Sequence, residues 1–308
     1  MKSNICPFAT AALSLTLGLS ANAVTTYTSL YAFGDSLTDS GNVFAATMGT
    51  QPDNPFNLPG RFGNGPTWAE KLATDHLGLP AITPSLVGGT NHAWGGAWTD
   101  GGGSVPTVLG QINAFTGAGG SFASTDLVTI WAGANDFFFG VTDPTLPVAN
   151  ISSALTLLAG ANAKNVLILN LPDLGKTPDI QALGAPTIAG MSALVNGFNS
   201  LLAAEIANQR LALGINIFEL DVYAINEDVL ANPGEYGITN WTDPASLTGN
   251  ADIADEYIYW DGVHPTDPVH DLFAAGAAQA VGVPEPSSTL LVLSASLVVM
   301  TRRRRVAA

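Results

Sequence analysis

A parallel α/β sheet with crossover helices is the fold that this 308-residue sequence predicts. Three features point to it. Residues 126–131 (D-L-V-T-I-W) and 165–171 (N-V-L-I-L-N-L) are continuous apolar runs of strand length, the pattern of strands buried on both faces. Met191, Leu194, Val195, Phe198, Leu202 and Ile206 recur at helical spacing, which marks a long amphipathic helix. Strand and helix signals also alternate along the chain. In order, Leu30-Tyr31-Ala32-Phe33 reads as a short first strand ending at Gly34, and residues 68–77 read as a helix with Pro66 at its start. The run at 126–131 follows, then a stretch of helical composition at 148–163. The run at 165–171, the long helix and a last strand at 215–220 complete the series. Glycine-rich stretches at 95–103 and 117–120 fall between elements and mark flexible backbone.

Composition excludes several classes. Hydrophobic residues make up 47% of the chain and charged ones 11%, too apolar a balance for disorder. Asp and Glu number 25 against 10 Lys and Arg, so nucleic acid is not an expected partner. Cys6 is the one cysteine and cannot build a disulfide framework.

The two ends read as addresses. Lys2, the apolar run from Phe8 to Leu19 and Ala21-Asn22-Ala23 have the layout of a secretory signal over residues 1–23. At the other end, Val283-Pro284-Glu285-Pro286 breaks the chain, residues 289–300 are apolar, and Arg302 to Arg305 follow. As a helix, residues 287–301 would span about 22 Å against a hydrocarbon core of about 30 Å, short for a permanent anchor. The arginines would stay cytoplasmic. This tail resembles a PEP-CTERM sorting signal. The resemblance implies export in a Gram-negative bacterium to the periplasm, cell surface or extracellular matrix. It also implies transient membrane contact through residues 283–308 and handling by export and sorting machinery. An ordinary C-terminal anchor is the competing reading. Without these ends the chain keeps five basic residues against 24 acidic ones, a net charge of −19. That surface repels anionic lipid and polysaccharide at long range and favours solubility.

In open α/β sheets reactive side chains sit at the carboxyl ends of strands. After the first strand comes F-G-D-S-L-T-D-S-G-N (residues 33–42), with Ser36 as a candidate nucleophile; taken alone, G-D-S is a helix cap. After 126–131 comes A-G-A-N-D, a turn in which Asn135 can aim an amide at a developing oxyanion. Near the C-terminus comes W-D-G-V-H-P-T (260–266). A carboxylate and an imidazole three residues apart on one turn, Asp261 and His264, suit an orienter and a general base. N-H-A-W-G-G-A (91–97) offers a backbone N–H free of side-chain obstruction. There is no G-x-S-x-G elbow and no phosphate-binding loop.

The order of these blocks resembles the GDSL, or SGNH, lipases and esterases. F-G-D-S-L carries Ser36, N-H-A-W-G-G-A carries Gly96 (with Gly95 as the alternative), G-A-N-D carries Asn135, and D-G-V-H-P-T carries Asp261 and His264. Residues 60–68 (G-R-F-G-N-G-P-T-W) resemble a further segment of that family, structural or wall-forming. The resemblance covers about residues 30–282. It implies a three-layer α/β/α, flavodoxin-like domain over 24–282 and hydrolysis of carboxylic esters through an acyl-enzyme, with no metal or cofactor. The implied oxyanion donors are the N–H groups of Ser36 and Gly96 and the Asn135 amide.

Several residues read as structural. His76 and His92 have no metal-ligand spacing, His270 is expected to pack in or cap the last helix, and Asp39 is expected to fix the loop after Ser36. Among Phe137, Phe138 and Phe139, core packing competes with a role in an acyl pocket, where Phe137 and Phe138 are the candidates. The N-I-S and N-W-T sequons at Asn150 and Asn240 read as coincidence. The substrate class stays open between lipid or acyl-glycerol esters and O-acetyl groups on exopolysaccharide. A non-catalytic matrix protein on a hydrolase scaffold is the rival of another class. The intact set of Ser36, Asn135, Asp261 and His264 disfavours it.

Overall fold

A computed structural model describes residues 26–54 and 56–283. The expected export signal at 1–23 and the tail beyond Val283 lie outside the described residues. Four parallel strands form one sheet in the order of the chain: β1 (Ser29–Gly34), β2 (Asp126–Trp131), β3 (Asn165–Leu169) and β4 (Asn216–Leu220). Every residue of β2 and β3 is buried, which explains their unbroken apolar sequence.

The described residues contain nine α-helices: α1 (Asn42–Ala46), α2 (Trp68–Lys71), α3 (Val108–Gly117), α4 (Ala134–Phe138), α5 (Thr145–Gly160), α6 (Pro178–Gln181), α7 (Ala185–Leu213), α8 (Val222–Ala231) and α9 (Asp267–Ala280). Alternate side chains along the strands meet opposite layers. Tyr31 and Phe33 of β1 reach Phe115 of α3, while Trp131 of β2 sets its ring edge-on to Trp68 of α2 and Phe273 of α9. Helices α3, α5 and α7 pack in sequence on the first face, and α2, α8 and α9 on the second. The α/β expectation is met, with two layers of helices around a parallel sheet.

Local differences have local causes. The helix expected at 68–77 is a four-residue α-helix that continues as a π-turn over Leu72–His76. Thr67 caps it reciprocally with Glu70, so the helix starts one residue after the cap, not at Pro66. The helix expected at 148–163 begins three residues earlier and ends at Gly160. The amphipathic stretch at 191–206 is the buried stripe of the 29-residue α7. His270 is buried in α9, where Nδ1 accepts the Trp68 backbone N–H at 3.2 Å, and burial pushes its pKa down to about 3. His92 stacks on Phe33 with centroids 5.0 Å apart, and burial pushes it down to about 4.

One pairing has no counterpart in the sequence pattern. Residues 90–94 run parallel to β1 on the side away from β2: Ala32 N–H donates to Thr90 O (3.1 Å), His92 N–H to Ala32 O (2.7 Å) and Trp94 N–H to Gly34 O (3.1 Å). The chain leaves β1, pairs on one side, and then crosses to the other side at β2. Counting this segment second, the order is 2-1-3-4-5, the flavodoxin-like arrangement. The carboxyl end of β1 is therefore a topological switch point, where such sheets place their ligands.

Candidate active site

Asp35 and Ser36 follow directly on β1 at that switch point. The loop that carries Asp261 and His264 arrives from the opposite end of the chain. Its base is tied off by Tyr259 bridging Pro265, by Trp260 N–H donating to His264 O (2.8 Å) and by Thr266 Oγ1 donating to Tyr257 O (2.6 Å). Asn64 Oδ1 then accepts the Asp267 N–H at 2.8 Å where α9 begins, one structural use of the 60–68 segment.

Ser36 Oγ and His264 Nε2 lie 2.8 Å apart, and His264 Nδ1 lies 2.7 Å from Asp261 Oδ2. The other carboxylate oxygen, Oδ1, accepts the backbone N–H groups of Val263 (2.9 Å) and His264 (2.8 Å). These two bonds fix the carboxylate, so its second oxygen faces the imidazole. Burial disfavours the imidazolium, but the Asp261 charge and hydrogen bond outweigh it and hold His264 above the ordinary imidazole range. Burial alone would raise Asp261; the His264 charge and three hydrogen bonds outweigh it and hold the carboxyl below its usual range. Such a relay can take a proton from Ser36 and return it to a leaving group.

Three residues that line the same cavity as His264 carry candidate donors. The Gly95 N–H is committed to Asp39 Oδ2 at 2.9 Å, and a Cβ at Gly95 would fall 2.1 Å from the Phe62 ring. Gly96 borders the cavity instead, with φ +79° and an N–H that makes no hydrogen bond among the described residues. The Ser36 N–H is likewise unpaired among them. Geometry therefore favours Gly96 over Gly95 as a donor. The third group, the Asn135 amide, rests 3.0 Å from Ala97 O and 3.4 Å from Asp35 Oδ2.

Three aspartates hold this arrangement, and only one was singled out from sequence. Asp39 accepts the N–H groups of Gly41, Asn42, Val43 and Gly95, so it fixes the loop after Ser36, as expected, and also ties it to the glycine loop. Asp136, next to Asn135, accepts Thr99 N–H (2.9 Å) and Oγ1–H (2.6 Å) and pins the far end of that loop. Asp35 is buried, its carboxyl is pushed up to about 7 by that burial, and it accepts the Leu37 N–H at 3.0 Å. The signal for the last two was adjacency: each aspartate neighbours a motif residue in G-D-S or N-D.

Ser36, Gly96, Asn135 and His264 border one cavity of about 230 Å³ with largely apolar walls. Phe62 forms part of the wall, its ring 5.5 Å from the His264 ring, so the 60–68 segment is wall-forming as well as structural. Phe138 lines the cavity. Phe137 does not: its ring is buried edge-on against Phe198 of α7, which corrects its assignment to the pocket. Phe139 is exposed and stacks on Trp98. On one helical turn successive side chains point about 100° apart, so three consecutive rings meet three environments. Among the described residues, no group of three or more His, Cys, Asp or Glu is placed to hold a metal ion.

The family model described as GDSL-like Lipase/Acylhydrolase matches residues 30–276. The chain belongs to that family. It is 28% identical over 233 residues to a phosphatidylcholine-sterol acyltransferase of Aeromonas hydrophila, covering 74% of this chain and 66% of that protein. It is also 28% identical over 256 residues to a thermolabile hemolysin of Vibrio parahaemolyticus, covering 78% and 60%. A GDSL esterase/lipase of Arabidopsis thaliana is 27% identical over 312 residues, covering 80% of each chain. The chain thus spans about two thirds or less of the two bacterial relatives. This GDSL protein holds Ser36, Gly96, Asn135 and His264 around one cavity, with Asp261 bonded to His264 behind them.

Proposed function

We propose that this chain is a serine ester hydrolase that cleaves carboxylic esters through an acyl-enzyme. The observation that carries the reading is the unbroken run of hydrogen bonds from Ser36 through His264 to Asp261 at an apolar cavity. His264 Nε2 takes the Ser36 proton as Oγ attacks the ester carbonyl. The tetrahedral oxyanion lies between the Ser36 N–H, the Gly96 N–H and the Asn135 amide. Collapse breaks the bond to the alcohol, which leaves with the proton from His264. A water deprotonated by His264 then attacks the acyl carbonyl and frees Ser36. The relative named for acyl transfer supports this path, because transfer and hydrolysis differ only in the nucleophile that resolves the acyl-enzyme.

The substrate reading follows the cavity. Its apolar walls and volume, several times that of an acetyl group, favour acyl groups longer than acetyl over O-acetyl groups on polysaccharide. Hydrolysis of p-nitrophenyl acetate, butanoate and longer esters by the purified protein tests both levels. No hydrolysis of any ester overturns the enzyme reading, and a sharp preference for acetate overturns the acyl-length reading.

Asn135→Ala is expected to lower turnover by about 10²–10³-fold with a much smaller effect on KM. Its amide contacts Ala97 O and Asp35 in the resting site, so it must turn toward the oxyanion as charge develops. Steady-state kinetics on one ester check this. A loss of only a few-fold makes Asn135 a turn residue.

Export is part of the same proposal. The signal-like segment at 1–23 and the PEP-CTERM-like tail support delivery to the cell surface or matrix of a Gram-negative bacterium, with the tail in transient membrane contact during sorting. The exported protein is expected to have a mass ending near Val283. Recovery of Arg302 to Arg305 on it supports a retained anchor instead.

A further inference from the structure

An amide has two unlike ends, and only its nitrogen end can stabilise an oxyanion. Asn135 is half-buried at the cavity, and its Oδ1 receives no hydrogen bond among the described residues. No donor at the oxygen end therefore decides which way the amide faces. Two acceptors at the nitrogen end do: Ala97 O at 3.0 Å and Asp35 Oδ2 at 3.4 Å. A flipped amide would set its own carbonyl oxygen against both of them.

Asp35 is a costly choice for a loop brace. It is 2% exposed, and burial pushes its carboxyl up to about 7. Asp39 and Asp136 are buried too, but each uses both oxygens to hold loop N–H or O–H groups. Asp35 Oδ1 accepts the Leu37 N–H at 3.0 Å, a bond that an asparagine oxygen would make equally well with no charge to bury. What an asparagine lacks is the second acceptor, because its NH₂ would then face the NH₂ of Asn135. Asp35 also borders the cavity, whereas Ala97 does not, and its contact with the amide is the longer of the two. The N–H on that side is the one that can be given up to a substrate oxygen. We propose that Asp35 is a positioning residue for the oxyanion hole: with Ala97 O it keeps the nitrogen end of the Asn135 amide at the cavity, and it releases one N–H to the oxyanion as the tetrahedral intermediate forms. The inference deepens the ester-hydrolase reading and rests on it.

The test is a double-substitution cycle on the full-length protein with p-nitrophenyl butanoate. Turnover is read on the alkaline plateau, where His264 is neutral, so that the effect of the Asp35 charge on the imidazole does not enter. Asp35→Asn is expected to lower kcat by about 10–10²-fold and to change KM by less than about threefold, because the amide acts on the transition state. In the Asn135→Ala background the same substitution is expected to lower kcat by less than about threefold, since no amide is left to position. Losses of equal size in both backgrounds overturn the inference, because Asp35 then acts through something other than Asn135. An unchanged or higher kcat in Asp35→Asn also overturns it, because the carboxylate would then only oppose the oxyanion. Asp35→Ala gives the answer if the asparagine variant fails to fold: it removes the acceptor without adding a donor, and its loss must shrink in the Asn135→Ala background in the same way. If neither variant folds, Asp35 is a determinant of the fold and the positioning role falls. A parent protein that hydrolyses no ester overturns the enzyme reading and this inference with it.

Discussion

Ser36→Ala is expected to abolish covalent labelling by a fluorophosphonate and to cut ester turnover by about 10⁶-fold. The expectation rests on where the hydroxyl sits. Ser36 is half-buried at the end of β1, and the only hydrogen bond its Oγ makes among the described residues is the one to His264. The side chain therefore does little for the fold. Removing it should leave the melting temperature close to that of the parent, as for substitutions away from the core. That separation makes the experiment decisive, because a variant that is folded, unlabelled and inactive has lost only the nucleophile. Labelling of Ser36→Ala at the parent rate would move the nucleophile elsewhere. A loss of turnover under about tenfold would mean that the measured hydrolysis does not pass through Ser36.

Much of this site was legible because its residues sit in short, ordered motifs at strand ends. The strands themselves were legible where both faces are buried: D-L-V-T-I-W and N-V-L-I-L leave no polar alternation to confuse the reading. Three things were not. The pairing of residues 90–94 with β1 uses N-H-A-W, which has no run of β-branched residues; tertiary hydrogen bonds alone make it a strand-like edge. Helix α3 contains Gly110, ends at Gly117 and lies between glycine-rich stretches, so its composition suggests a loop; packing against β1 and α5 supplies what its propensity lacks. The separate fates of Phe137, Phe138 and Phe139 depend on the rotational phase of a five-residue helix. That phase is set by Gly133, whose φ of +119° turns the chain out of β2. A Cβ there would also crowd the Phe198 ring at 3.1 Å. Pattern can name the residues that meet at a site, but the angles between neighbours come from the turn that precedes them.

Asp261→Asn is expected to lower turnover by about 10⁴-fold while leaving the loop in place. The reason lies in how the two carboxylate oxygens divide their work. Oδ1 holds two backbone N–H groups, so an asparagine keeps its carbonyl oxygen there and turns its NH₂ toward His264. An NH₂ cannot accept from Nδ1–H. The imidazole must then offer Nδ1 as the acceptor and carry its proton on Nε2, where it can no longer take the Ser36 proton. The pH profile supplies an independent check. His264 acts as a base only when neutral, so kcat/KM falls as pH drops through its pKa. That pKa is raised in the parent, so the acid limb is expected above the ordinary value of 6.5, against the decline near 6.5 that an unperturbed histidine would give. In the asparagine variant the largest force raising it is gone and burial pulls the other way, so the residual activity should extend to lower pH. A parent limb below 6.5, or a limb that does not move in the variant, would mean that Asp261 does not set the protonation of His264. A small loss of turnover with the limb unmoved would make the aspartate no more than a brace for its loop.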